Sequence, residues 1–217
     1  MEKKSIYIQK YGSIGWIVLN QPSKRNAITK SMWESIPVLL EEAEKDESIL
    51  CVVIRGCDEK AFAAGADISE FNKIHSNEKN SKEYNKIVHR AEKSLKDFIK
   101  PTIAMIQGPC IGGGCGLALA CDLRFADNNS KFAIPPSKLG LVYSLQGTKS
   151  LIDKVGQSFA SDMIFSGRIV DSSEALRVNL IDRLFNPEKI LSETTLYCEI
   201  LSKRSQFSIQ STKKIVK

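Results

Sequence analysis

Histidine, long apolar runs and nucleotide-binding glycine patterns are scarce or missing in this sequence, and each shortage removes a class of function. Only His75 and His89 stand among its 217 residues. A Ser–His–Asp set and a histidine-rich metal site are therefore not expected, and His89 reads as part of a solvated helix face. The opening Met-Glu-Lys-Lys-Ser-Ile-Tyr has no apolar core of signal length, and no apolar run nears the roughly 18 residues of a membrane span. The expectation is a cytoplasmic protein with no membrane contact. No Gly-Lys-Ser/Thr ending follows a glycine cluster, and Gly112 and Gly114 lack the third glycine of a dinucleotide fingerprint. Cysteine is not scarce, but Cys51, Cys57, Cys110, Cys115, Cys121 and Cys198 mostly lie inside apolar runs at spacings that fit no zinc site. They read as small buried side chains, not as a disulfide framework.

What is present is the composition of a soluble globular protein, 42% apolar and 26% charged. A chain of this length makes one domain that buries about 70% of its unfolded surface. The net charge of +6 suits polyanionic partners, RNA included. The densest basic group, Lys79, Lys82, Lys86, Arg90, Lys93, Lys96 and Lys100, interleaves with Tyr84, Ile87, Val88, Ala91, Leu95 and Phe98. That three-and-four spacing marks an amphipathic helix with a solvated basic face, which argues against nucleic-acid binding.

Short strands are expected at Ser5–Gln9, Ile14–Leu19, Leu50–Arg55 and Thr102–Gln107. A helix starting near Thr29, its N-cap, turns Met32, Ile36, Leu39, Leu40 and Ala43 inward and kinks at Pro37. The pattern recurs with a helical stretch over Ala66–Phe98, the strand at Thr102 and a helix over Gly113–Ala120. From Leu145 onward the chain reads as helical, with segments at Gln157–Phe165, Ser172–Asn179, Leu191–Ser202 and Gln206–Ile215. Asp171 or Ser172 caps the second of these, with Glu174 in its first turn.

Two glycine-bearing segments, FAAGADI (Phe62–Ile68) and GPCIGGGCG (Gly108–Gly116), each follow a buried-strand run. Peptide N–H groups at a strand–turn–helix junction are unsatisfied and point outward. Two of them converging on one point hold a developing oxyanion at roughly 3 kcal/mol per donor. The plain alternative is that the glycines only let two turns pack closely.

Taken together, NQPSKRNAI (Asn20–Ile28), KAFAAGADI (Lys60–Ile68), KPTIAMIQGPCIGGGCGLALACDLRFA (Lys100–Ala126), FAIPPSKLGL (Phe132–Leu141) and FSGRIVDSSEALRVNLID (Phe165–Asp182) resemble the crotonase, or enoyl-CoA hydratase/isomerase, superfamily in order and spacing. The resemblance covers nearly the whole chain. It implies an α/β fold, a spiral of repeated ββα units followed by C-terminal helices. Residues 1–190 would form the core and 191–217 the start of a shortened helical region, in a homotrimer or dimer of trimers. It also implies an acyl-CoA substrate, coenzyme A being part of that substrate and no separate cofactor or metal being needed. Ala66 and Gly113 are then the two oxyanion donors. Lys24 and Arg25 meet the CoA phosphates, and Ala64, Asp67 and Ile68 frame the adenine end.

Hydratases of this family use two glutamates, and the matching positions here hold Gly116 and Pro136. Neither residue moves a proton, so ordinary water addition lacks its acid and base. The segment LGLVYSLQGTKSL (Leu139–Leu151) resembles the methylmalonyl-CoA decarboxylase branch, which carries a tyrosine where Tyr143 stands. That branch has a histidine where this chain has Ala66. Tyr143 either orients a carboxylate or is a half-buried aromatic ring with a satisfied hydroxyl. Glu70 is a further candidate acid or base facing the acyl pocket, whereas Asp122 reads as a brace of the core and Asp67 as a lock on its own turn. Two other readings stand beside the enzyme. One is a catalytically silent homologue that binds acyl-CoA or an acyl-carrier thioester, both of which present the same pantetheine arm. The other is an RNA-binding relative, disfavoured because the stretch Trp33–Glu47 is rich in glutamate.

Overall fold

The computed structural model describes residues 4–70, 74 and 76–216. Its framework is a six-stranded sheet in which apolar runs become fully buried strands. In chain order the strands are β1 (Ile6–Tyr11), β2 (Ile14–Leu19), β3 (Cys51–Gly56), β4 (Thr102–Ile106), β6 (Leu123–Asp127) and β9 (Arg183–Phe185), lying side by side in that sequence. β1 and β2 form an antiparallel hairpin, and every later pairing is parallel. A second sheet of β5 (Pro109–Ile111), β7 (Lys131–Ala133) and β8 (Val170–Asp171) stands apart from the first. Twice, from β4 to β6 and from β6 to β9, the chain leaves the large sheet, visits the small one and returns through helix. This is the repeated ββα spiral.

Seven α-helices occur among the described residues: α1 (Lys30–Lys45), α2 (Glu78–Asp97), α3 (Gly113–Ala120), α4 (Leu145–Ser166), α5 (Ser172–Arg177), α6 (Ile190–Ser202) and α7 (Gln206–Ile215). Thr29 caps α1 by accepting the Met32 N–H at 3.2 Å, and α1 continues through Pro37. Lys100 is not part of a solvated basic face. It is buried, and its ammonium group donates to the carbonyls of Ala43, Glu44 and Asp46, closing the C-terminal end of α1. The continuous helix expected over Ala66–Phe98 is broken: Ile68–Glu70 form a 3-10 turn, Ser76 and Asn77 are not helical, and α2 starts at Glu78, where Asn77 caps it by accepting the Asn80 N–H. α4 is interrupted at Gly156, where the backbone turns to φ +77°.

One face of the large sheet carries the main core, with Ile17, Leu19, Ile54 and Ala104 packed under Trp33, Ile36, Leu40 and Leu95. The opposite face, Trp16, Val53, Met105 and Phe125, is covered by Ile190 and Cys198 of α6. Arg124, 1% exposed, reaches Asp182 at 2.6 Å and the Leu180 carbonyl, tying β6 to the approach of β9. Asp122 accepts from Thr102 and from Lys213, which joins α7 to the start of β4. No helix of the described residues is long and apolar enough to cross a membrane.

Candidate active site

The first glycine-bearing turn is held from two sides. Ala63 forms a parallel bridge with Cys110 of β5, and Ala66 forms one with Ile28. In the latter, the Ile28 N–H donates to the Gly65 carbonyl and the Asp67 N–H donates to the Ile28 carbonyl. Those bonds leave the Ala66 N–H on the far side. The buried Asn26 side chain accepts the Gln21 N–H and donates to the Ala61 carbonyl, so the 20–28 loop and the 61–67 turn move as one piece.

The second turn enters α3 through Gly112, whose φ of +52° is a conformation glycine adopts without strain. Gly113 opens the helix, so its N–H has no intrahelical acceptor. A Cβ placed on Gly113 would stand 3.8 Å from the Ala66 nitrogen and 3.3 Å from the Trp33 ring. The two amides thus border one small space, which a side chain at 113 would enter. Among the described residues neither N–H meets an acceptor.

This space opens into a cavity of about 200 Å³ whose wall includes Ala64, Ala66, Ile68, Gly113, Pro136 and Tyr143. The lining is chiefly apolar and carries no carboxylate. A ligand with an apolar arm and one strongly polarised carbonyl fits such a site. Tyr143 is half-buried, its ring forming wall and its hydroxyl donating to the Gly112 carbonyl at 3.4 Å. Burial pushes the Tyr143 hydroxyl well above its ordinary value, and the neighbouring Glu92 adds to the effect.

At the mouth, Lys24 is 2.7 Å from the Asp67 carboxylate and 2.9 Å from the Ser69 hydroxyl, with its side chain 45% exposed. Asp67 also accepts the Ser69 N–H and hydroxyl, closing its own turn. Burial alone would raise the Asp67 carboxyl, but the bonds from Lys24 and Ser69 outweigh it and hold the group below its usual range. Arg25 is exposed, and its carbonyl accepts the Ala64 N–H. Ile68 is exposed at the rim. Glu70 does not face this cavity. Its carboxylate takes the Lys30 N–H at 2.7 Å, where the first turn of α1 offers unsatisfied donors. His89 is exposed on α2, and His75 lies outside the described residues.

Inspection of the motifs alone misses Glu92. This residue is 7% exposed, and its Oε1 lies 2.5 Å from the point where a Cβ on Gly116 would stand. The Tyr143 hydroxyl oxygen is 3.2 Å from that same point. Burial raises the Glu92 carboxyl to about 7, and Lys96 offsets this only in part. The signal in the sequence is a lone acid beside Ala91 and one turn before Leu95, on the apolar side of a basic helix.

The sequence profile described as "Enoyl-CoA hydratase/isomerase" matches residues 9–217. A short-chain-enoyl-CoA hydratase of Clostridium acetobutylicum is 31% identical over 192 residues, covering 88% of this chain and 73% of that protein. A crotonyl-CoA hydratase of Syntrophomonas wolfei is 27% identical over 213 residues, covering 98% of this chain and 81% of its own length. The crystal structure of an enoyl-CoA hydratase/isomerase family protein from Hyphomonas neptunium superposes with a TM-score of 0.96 at 38% identity, covering 98% of this chain and 81% of that one.

Proposed function

This chain belongs to the enoyl-CoA hydratase/isomerase family, and from that premise we propose that it binds an acyl-CoA thioester and works through an enolate held by the Ala66 and Gly113 amides. The observation that supports this reading is the closeness of the Ala66 nitrogen to residue 113 on the wall of a carboxylate-free cavity. The thioester oxygen gains negative charge as the enolate forms, so donors fixed in advance stabilise the transition state more than the ground state. Coenzyme A enters as part of the substrate. Lys24 and Arg25 meet its phosphates at the rim, and Ala64, Asp67 and Ile68 border the adenine through backbone and apolar surface.

Decarboxylation is the chemistry this site favours. With Gly116 and Pro136 at the glutamate positions, no acid–base pair faces a water molecule. Breaking the bond between Cα and a carboxylate sends its electron pair into the thioester carbonyl, and a proton later returns to Cα. Tyr143, on the wall, orients the departing carboxylate through its hydroxyl. The wall of apolar residues also favours a second reading, a homologue that binds acyl-CoA without turning it over. Large apolar residues on the helical region, Phe165 at 78% and Phe207 at 81% exposure, fit burial against further copies in a homotrimer.

Incubating the protein with malonyl-, methylmalonyl- and crotonyl-CoA and following products by mass spectrometry tests the proposal. Carbon dioxide release that Tyr143→Phe lowers supports it. Binding of all three without turnover favours the silent homologue, and absence of binding overturns the thioester reading itself.

A further inference from the structure

The buried carboxyl group of Glu92 has no role in the reading above, and no hydrogen-bonding or ion-pairing partner takes it among the described residues. Burying an ionisable side chain is costly, and such groups cluster at functional sites. Its position is specific. Residue 116 is where the resemblance puts a proton-moving glutamate, and here α2 delivers a carboxyl oxygen to within 2.5 Å of where a Cβ at 116 would stand. Glycine at 116 is what makes room for it. The Tyr143 hydroxyl stands against the same point, with its ring on the cavity wall.

We infer that Glu92 is the proton reservoir of this site, exchanging its proton with the substrate α-carbon through the Tyr143 hydroxyl. This rests on the thioester reading and assigns the acid that reading lacks. In the forward direction the Tyr143 hydroxyl turns from the Gly112 carbonyl, the enolate α-carbon takes its proton, and the tyrosine oxygen takes the proton of the Glu92 carboxylic acid across the space a Cβ at 116 would fill. Glu92 is left as a carboxylate and regains a proton from solvent. In reverse, an α-proton passes to Tyr143 while the Tyr143 proton passes to Glu92. No electrons change hands overall, and tyrosinate, disfavoured by its burial, does not accumulate. Glu92 thereby acts through Tyr143 as a positioning and proton-supplying residue.

The titratable groups facing Glu92 are few. Among the described residues Lys96 acts on Glu92, Tyr84 and Tyr143 feel its charge, and the one titratable side chain of α3, Cys115, donates its thiol to the Cys110 carbonyl. The inward residues of α1 are Met32, Trp33, Ile36, Leu40 and Ala43, none of them ionisable.

Exchange of the α-hydrogens of propionyl-CoA in deuterated water tests the assignment, read by mass spectrometry beside calorimetric binding of the same ligand. Wild-type protein is expected to exchange with an inflection near pH 7, where Glu92 titrates. Glu92→Gln should bind equally well, exchange about 10²-fold more slowly and lose the inflection. Glu92→Asp should recover part of the rate. A Glu92→Gln protein that binds and exchanges like wild type overturns the role of Glu92 and leaves the thioester site standing. Wild-type protein that binds no propionyl-CoA overturns the thioester reading, and the assignment with it.

Discussion

The Glu92 carboxylate and Gly116 share one space: Oε1 stands 2.5 Å from the position a Cβ on residue 116 would take. A methyl group there cannot coexist with the present Glu92 rotamer. Gly116→Ala should therefore displace the acid and lower α-exchange by at least 10-fold while the fold survives. The exchange that shift puts back serves as the check. Glu92→Ala combined with Gly116→Glu empties the space and returns a carboxylate from α3, and it should outperform Glu92→Ala alone. Equal rates in the two would show that no carboxylate is needed there.

Stability should carry the signature of the same group. Folding raises the Glu92 carboxyl from 4.5 to about 7, so the folded state holds a proton that the unfolded chain has given up between those values. Its contribution is complete below about pH 4.5 and is lost as pH rises through 7. The shift corresponds to at most about 3 kcal/mol. Urea unfolding at pH 5 and pH 8 should thus show wild type losing stability relative to Glu92→Gln by up to that amount. Parallel behaviour of the two proteins would place the carboxyl in water.

Gly113 can be tested without breaking its helix, because the first helical position tolerates proline. Gly113→Pro removes the N–H and should cut turnover 10²-fold or more, with far-ultraviolet circular dichroism unchanged. Unaltered turnover would move the oxyanion elsewhere.

Lys24 bonds Asp67 across the mouth and remains partly exposed. Lys24→Ala should weaken acyl-CoA binding by about 10-fold and leave acyl-pantetheine binding unchanged, since only the former carries the phosphates. Calorimetry with both ligands at two salt concentrations measures this difference, and an equal loss for both would assign Lys24 to the turn alone.

Arg124 offers a control remote from the chemistry. Its guanidinium is buried against Asp182 and the Leu180 and Cys121 carbonyls. Arg124→Met should cost about 3 kcal/mol in unfolding experiments by leaving the Leu180 and Cys121 carbonyls unpaired and Asp182 with only the backbone N–H of residue 124.

Much of the fold is legible in the sequence. β2 and α7 have the bounds their sequences imply, since a six-residue apolar run and a capped amphipathic segment each favour one conformation. The strands from β5 onward were not legible. They hold two to five residues, too few to show a period, and they exist because a neighbouring strand completes their hydrogen bonds. The sequence does not mark the start of α2, because one local bond, from the Asn80 N–H to the Asn77 side chain, fixes its first turn within a stretch of generally helical composition. Ala66 and Gly113 were named from motif positions, but their meeting across the site depends on the Ile28 and Cys110 bridges, which link distant stretches. Glu92 shows the same limit from the other side. Its helix was read from periodicity, whereas its neighbour Gly116 comes near only once α2 and α3 cross.

Main-chain amides at 66 and 113 have a consequence for inheritance. A peptide N–H is not specified by any codon in particular, so every replacement except proline keeps the donor, though a bulky one at 113 blocks access to it. Groups that move protons enjoy no such protection, because one nucleotide change erases them. A lineage built on this scaffold can therefore discard and relocate its reactive side chains generation by generation, while the pair of main-chain donors persists as something close to a permanent fixture.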